Sequence, residues 1–237
     1  MKRKKYKIRK DLSYTFEGHK LYRIEALKGF GDVKKGSIGG FVQKEDNLSQ
    51  DDNCWIYLDG KVYDNAQVWG DAVIDGFAQV CSNALVYDKA RVGGHSKVKD
   101  NARVFDNARI ENNSIVKDNA QVYGNSLLLE NAQVCDNANL AGTCLVRENA
   151  IVCGDAYIYD FVHFNSDAKI TSPADYFIGH ENWAGGHNFV YTYSNKKWST
   201  FFLNGTKEEI LEFAKLRGDK DYNFYKNVIE FVEKIYS

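Results

Sequence analysis

The chain has 237 residues, 44% hydrophobic and 27% charged, with a formal charge of -1. This composition excludes a disordered chain, and the near-zero charge gives no global attraction to nucleic acid or to a membrane. No apolar stretch approaches the ~20 residues that span a bilayer, so no membrane partner and a cytoplasmic location are expected.

The first ten residues, MKRKKYKIRK, carry seven basic side chains. No apolar signal segment follows them, and they read as a solvated tail. Residues 11–53 hold Leu21–Ile24 and the glycine-rich runs Gly29–Val33 and Gly36–Val42, apolar and aromatic enough to cover an exposed strand end. Residues 1–53 are therefore expected to form a basic tail and a β cap.

From Ile56 to Ile170 an aliphatic or aromatic residue recurs at every sixth position, through Val62, Val68 and Ile74 to Ile158, Phe164 and Ile170. Two places before each stands a small residue in almost every case, such as Cys54, Gly60, Ala66 and Ala72. Side chains alternate along a strand, so both positions face one side, inward, and a fixed short period marks a solenoid. The next two positions are commonly pairs such as Asp64-Asn65, Asp100-Asn101, Asp118-Asn119 and Gly124-Asn125. These types tolerate positive φ and turn the chain, which makes each hexad a short strand plus a corner and residues 54–172 one repeat domain.

The pattern resembles the hexapeptide repeat of left-handed parallel β-helices, whose triangular coils take three hexads each. The resemblance implies an eighteen-residue coil, nearly seven coils in all, and at ~4.8 Å per stacked strand a prism roughly 30 Å long. The stretch RIEALKGFGDVKKGSIGGFVQKEDNLSQDDNCWIY, running into DNAQVWGDA, is similar to uncharacterised hexapeptide-repeat proteins of bacteria, phages and prophages. That similarity extends over about residues 20–160 and implies a fold and a phage-like setting.

After the sole proline, Pro173, the period stops. Residues 173–237 are expected to form a ββαα module, with strand-like runs Phe189–Tyr193 and Trp198–Phe202 joined by a turn at Ser194–Lys197. Thr206 followed by Glu209 reads as a capping box for a helix over Lys207–Leu216. A second helix over Asp221–Ile235 offers Phe224, Val228, Phe231, Val232 and Ile235 as its apolar face. The module is expected to cap the prism or fold back on it. The fold class is thus mainly β: a left-handed parallel β-helix with an N-terminal β cap and a small C-terminal α+β module.

An eighteen-residue coil also sorts outward residues into columns. One column reads Trp69, Tyr87, Phe105, Tyr123, Ala141 and Tyr159, five aromatics in six rungs. Three readings follow: burial beneath the C-terminal helices or in a homo-oligomer (dimer or trimer), a surface for a partner protein, or a stacking platform for nucleobases with Arg91, Arg103 and Arg109 as phosphate partners. Double-stranded or single-stranded nucleic acid is not the expected partner.

Many hexapeptide β-helices are acyltransferases, in which a histidine acts as general base and a loop thrown from one coil closes the acyl-donor cleft. Residues 54–170 contain no such loop, and the repeat histidines are His95, at a corner, and His163. His95 is the catalytic candidate only if the chain is such an enzyme. The γ-type carbonic anhydrases of the same fold bind zinc through closely spaced histidines, and the scattered His19, His95, His163, His180 and His187 lack that spacing. Cys135 and Cys153, one coil apart, are read as reduced thiols without the histidine or carboxylate company that a metal needs, so no metal and no cofactor are expected. His180 and His187 flank a glycine-containing loop that carries Trp183, and these three with Trp198 and the three arginines are candidate pocket residues. The functional expectation is a non-catalytic binding protein, an accessory or counter-defence protein that occludes a host protein or sequesters a small nucleotide-like ligand. The alternatives are a CoA-dependent acyltransferase and a purely structural oligomerisation scaffold.

Overall fold

The computed structural model describes residues 4–159, 161–180, 188–200 and 203–236, without the side chains of His180 and Tyr236. Its body is a parallel β-solenoid of about seven turns. Two-residue strands run from Trp55–Ile56 to Lys169–Ile170 and stack into three faces. A seven-stranded face contains Trp55–Ile56 and Arg109–Ile110, and a six-stranded face runs from Gln67–Val68 to Tyr157–Ile158. Partners lie eighteen residues apart and in register, as in Arg103↔Gln121 and Val104↔Val122.

The hexad explains this packing residue by residue. The periodic aliphatics and the small residues before them are buried almost without exception and form one continuous core. Ala at the small position lets the three faces approach closely, and Val or Ile two places on fills the axis. At the corners the first residue takes a left-handed conformation, as at Asp64 (φ 57), Asp100 (φ 60), Asp118 (φ 60) and Glu148 (φ 59). Asp, Asn and Ser tolerate that region at modest cost, which is why they fill these positions.

The corners are also tied from coil to coil. Asp118 Oδ2 accepts from the amide of Asp136 at 3.2 Å, and Asp136 Oδ2 accepts from that of Gly154 at 2.9 Å. On the neighbouring position asparagine side chains donate to one another, Asn83 to Asn101 (3.1 Å), Asn101 to Asn119 (3.1 Å) and Asn119 to Asn137 (3.0 Å). This row is fed at one end by Lys44, which donates to Asn65 at 2.9 Å, and ends where Asn137 donates to Asp155 at 2.9 Å.

The amide of Asp136 holds the Asp118 carboxyl below its usual range, more strongly than burial raises it. A carboxylate with a depressed folded pKa contributes stability that is complete above its ordinary value and lost as pH falls through the folded one. The urea midpoint is therefore expected to be level near neutrality and to fall below about pH 4, with a shallower fall in Asp118→Asn. An unchanged acid slope in that variant would show that the corner bonds carry no such linkage.

The cap is built of three strands. Strands β1 (Tyr6–Phe16) and β2 (His19–Ala26) form an antiparallel hairpin, and β3 (Ile38–Val42) pairs antiparallel with β2. β3 then runs parallel to Lys61–Val62, so the cap extends one solenoid face to ten strands. Close approach requires the glycines there: a Cβ on Gly40 would stand 2.4 Å from Ile56 Cγ2 and 2.5 Å from the Gly60 carbonyl oxygen.

The basic N-terminal run is not simply a solvated tail. Lys5 is 1% exposed, and its ammonium donates to the carbonyls of Asp51 and Cys54, both at 2.9 Å. Burial holds that ammonium below the usual lysine range, although the neighbouring Cys54 acts in the opposite sense. The first coil thus ends in backbone carbonyls, and the cap supplies their donor.

The C-terminal module has four described strands, Tyr176–His180, Asn188–Thr192, Lys197–Ser199 and Asn204–Gly205, in one antiparallel sheet. Helix α1 (Lys207–Arg217) starts at the Thr206–Glu209 capping box, and α2 spans Asp219–Tyr236. α2 buries Tyr225, Ile229 and Val232, while Phe231 and Ile235 are exposed. Its buried face is therefore rotated from the one expected, because Tyr225 and Ile229 pack with Phe189, Trp198 and Ile210. The module closes the last coil: Phe164 meets Tyr176 edge-on, and Asn165 Nδ2 donates to Ser199 Oγ at 3.2 Å. Among the described residues no helix is long and apolar enough to cross a membrane.

Candidate functional site

The aromatic column lies at the border of the six-stranded face. Trp69, Tyr87, Phe105 and Tyr123 stack in parallel with ring centroids 4.6, 4.9 and 4.7 Å apart. The spacing is that of the strands beneath, so the backbone sets the stack. Helices α1 and α2 pack on the module's own sheet, and the four rings stay half-exposed, so the column is not buried beneath the C-terminal helices.

Within this row the rings cover one another's faces, so both faces of Tyr87 and Phe105 are taken. A nucleobase platform would therefore have to use the ends of the row and not its middle. The arginines do not support it. Arg103 lies on the six-stranded face, whereas Arg91 and Arg109 pair on the seven-stranded face. Arg109 binds Glu111 at 2.9 Å, and both arginines line a hollow of about 180 Å³ with Asp75, Gly93 and Gly94.

Beyond Ala141 the column reopens. Tyr159 is 65% exposed and Tyr157 53%, with parallel rings 6.5 Å apart, and Phe161 follows, also exposed. Burial, and next its hydrogen bond with Tyr157, push the Tyr123 hydroxyl up to about 12.

The expected pocket around the module is not assembled from the named residues. Trp198 is 2% exposed and packs at a tilt against Tyr191, ring centroids 4.8 Å apart, as a core residue of the module. Trp183 and His187 lie outside the described residues, as does the side chain of His180. His95 stacks on Phe77 at 4.9 Å, as a corner residue would.

Residues 102–118 match the family model described as YdcK beta solenoid repeat. The chain is also 36% identical over 84 residues to a protein of Escherichia coli (strain K12) named "Uncharacterized acetyltransferase YdcK". The match covers 32% of this chain, which spans about a quarter (24%) of that relative's length. These matches support a β-solenoid repeat family.

Against that repeat, two constellations stand out that the periodic reading passed over. His19 Nδ1 lies 3.3 Å from Asp64 Oδ1, at a shallow depression of about 660 Å³ also lined by Gln43, Lys44 and Ser82. His19 belongs to the cap and Asp64 to a corner, so only the docking of β2 and β3 onto the solenoid brings them together. The second corrects the view that Cys135 and Cys153 lack carboxylate company: the Asp136 carboxylate and both thiols lie within 4.8 Å of one another. Its signal was present in the sequence, since Asp136 follows Cys135 directly and Cys153 is one coil further on.

Proposed function

We propose that the protein is a non-catalytic binding scaffold that engages a partner protein through its six-stranded face. The observation that carries this reading is the exposed Tyr157–Tyr159 pair at the end of a half-exposed aromatic column. Tyrosines in such a setting bury large apolar area while keeping a polar tip, the composition of binding hot spots. The solenoid supplies a rigid, flat support. The proposal extends to occlusion of a host protein, the role implied by the resemblance to bacterial and phage relatives, with self-association on the same face as the competing occupant.

In-cell cross-linking with mass spectrometry tests it. Cross-links to a second protein are expected to map to the six-stranded face and to drop at least tenfold in Tyr157→Ala/Tyr159→Ala, with little change in thermal midpoint. Cross-links only to other copies of this chain, or unchanged in the double variant, would sink the idea. Acyl transfer is the rival that His19–Asp64 and the relative's name favour. The carboxylate would orient the imidazole, leaving the other ring nitrogen for a proton. Turnover of acetyl-CoA that disappears in His19→Ala would overturn the binding proposal.

A further inference from the structure

The ten-stranded face carries an outward column of Tyr63, Cys81, Lys99, Lys117, Cys135 and Cys153. Strands Gln133–Val134 and Ile151–Val152 pair in register, which sets Cys135 directly below Cys153. Both are nearly buried, 8% and 7% exposed, and neither is in a disulfide. Asp136 beside them is exposed.

The carboxylate is held in place. Asp136 occupies the left-handed corner (φ 57), its Oδ2 accepts from Gly154 N, and its own amide donates to Asp118 Oδ2. One carboxylate oxygen therefore remains for another partner. Burial, then the charges of Asp136 and Cys153, push the Cys135 thiol up to about 11, with Lys117 opposing them. Two thiols and a carboxylate are thus gathered within 4.8 Å of one another at one corner.

We propose that Cys135 Sγ, Cys153 Sγ and Asp136 bind one thiophilic divalent cation of the zinc class, with a fourth position open to water. The donor chemistry selects the ion. Two thiolates disfavour calcium and magnesium, which take oxygen ligands, and suit zinc or cadmium. At a Zn–S distance of about 2.3 Å, tetrahedral sulfurs stand roughly 3.8 Å apart, within the 4.8 Å that spans the cluster. A disulfide fits less well. In-register parallel strands keep equivalent Cβ atoms ~4.8 Å apart, beyond the ~3.5–4.5 Å that a disulfide spans. Each thiol gives up its proton on ligation, so binding one cation releases two protons and weakens as pH falls. Three anionic ligands and a dication leave one net negative charge, with the Lys117–Asp118 ion pair (3.3 Å) on the rung below.

The reduced, full-length protein titrated with Zn2+ against a chromogenic chelator, and with Cd2+ while following thiolate charge-transfer absorbance, tests the site. One equivalent is expected, with two protons released. Cys135→Ser and Cys153→Ser are expected to weaken binding by at least a hundredfold and Asp136→Asn by at least tenfold, while Cys81→Ser on the same column leaves it unchanged. Circular dichroism confirms that each variant is folded, and Asp136→Asn, at an exposed position, keeps the test open if a cysteine variant is not. Absence of stoichiometric binding, binding that survives Asp136→Asn and the folded cysteine variants, or a Cys135–Cys153 disulfide forming in its place would each overturn the site.

Discussion

Ile110→Asp is expected to leave the chain unfolded at 25 °C, with the far-UV spectrum of the solenoid lost. Ile110 is fully buried in the central coil, stacked in register between Val92 and Leu128. Removing its side chain forfeits about 2–5 kcal/mol, and the carboxylate would be buried without a cationic partner at a further cost of several kcal/mol. Together these approach the roughly 5–15 kcal/mol that hold an ordinary domain folded. The architecture sharpens the effect, because a solenoid coil touches only the coils above and below it. No alternative set of core contacts bypasses a broken coil. Ile110→Val, which removes one methylene, is expected to cost only about 0.5–1.5 kcal/mol by urea unfolding. Exposed Arg109 on the same strand should tolerate Ala with a change within about 1 kcal/mol. Wild-type thermal behaviour of Ile110→Asp would mean that the inward assignment of the hexad is wrong.

Deleting residues 173–237 is expected to convert a discrete species into end-to-end aggregates. The last coil presents the strands Tyr157–Ile158, His163–Phe164 and Lys169–Ile170, and the module meets it with matched polar contacts. Lys169 N donates to Ser194 Oγ at 2.8 Å, Asn188 Nδ2 to the Phe161 carbonyl at 2.8 Å, and Lys197 Nζ to Ser166 Oγ at 3.1 Å. Phe164 and Val190 belong to the solenoid core, so truncation also uncovers apolar surface. An open parallel stack with free N–H and C=O groups is a template for another chain. Light scattering after size exclusion should show mass rising with concentration, whereas Phe231→Ser/Ile235→Ser on the exposed side of α2 should behave as the intact chain. A truncated chain that runs as a monodisperse monomer would remove the module's capping role.

The parts that were legible in the sequence are those whose physics is local or periodic. The hexad encodes inward and outward positions through strand alternation, and the corner residues encode left-handed φ, so the core from Cys54 to Ile170 could be written down in advance. The Thr206–Glu209 capping box likewise needs only its own four residues. Non-local docking was not legible. Lys5 is buried because carbonyls from residues 51–54 end the first coil there, and nothing in a basic run announces such acceptors. The face of α2 was misjudged because the helix is apolar on two sides, and Tyr225 and Ile229 were selected by Phe189 and Trp198, which arrive from another element. Strands Tyr176–His180 and Asn204–Gly205 were missed because a short or glycine-containing strand is specified by its neighbours more than by its own composition. His19 meets Asp64 only through the cap's pairing order. Cys135, Asp136 and Cys153 are intermediate: the eighteen-residue coil predicts the sulfur pair, while the carboxylate's aim depends on the corner it occupies.

The row of asparagines along one corner has an electrical direction. Every amide from Asn65 to Asn137 turns its oxygen toward Lys44 and its NH2 group toward Asp155. Dipoles aligned head to tail polarise one another, and here a cation closes the oxygen end and an anion the nitrogen end. The prism therefore has a positive and a negative terminus along its edge that a uniform hexad alone does not confer. An added eighteen-residue coil within the row would lengthen it and keep both terminations, whereas loss of the coil carrying Asp155 would leave Asn137 with a donor and no counter-charge.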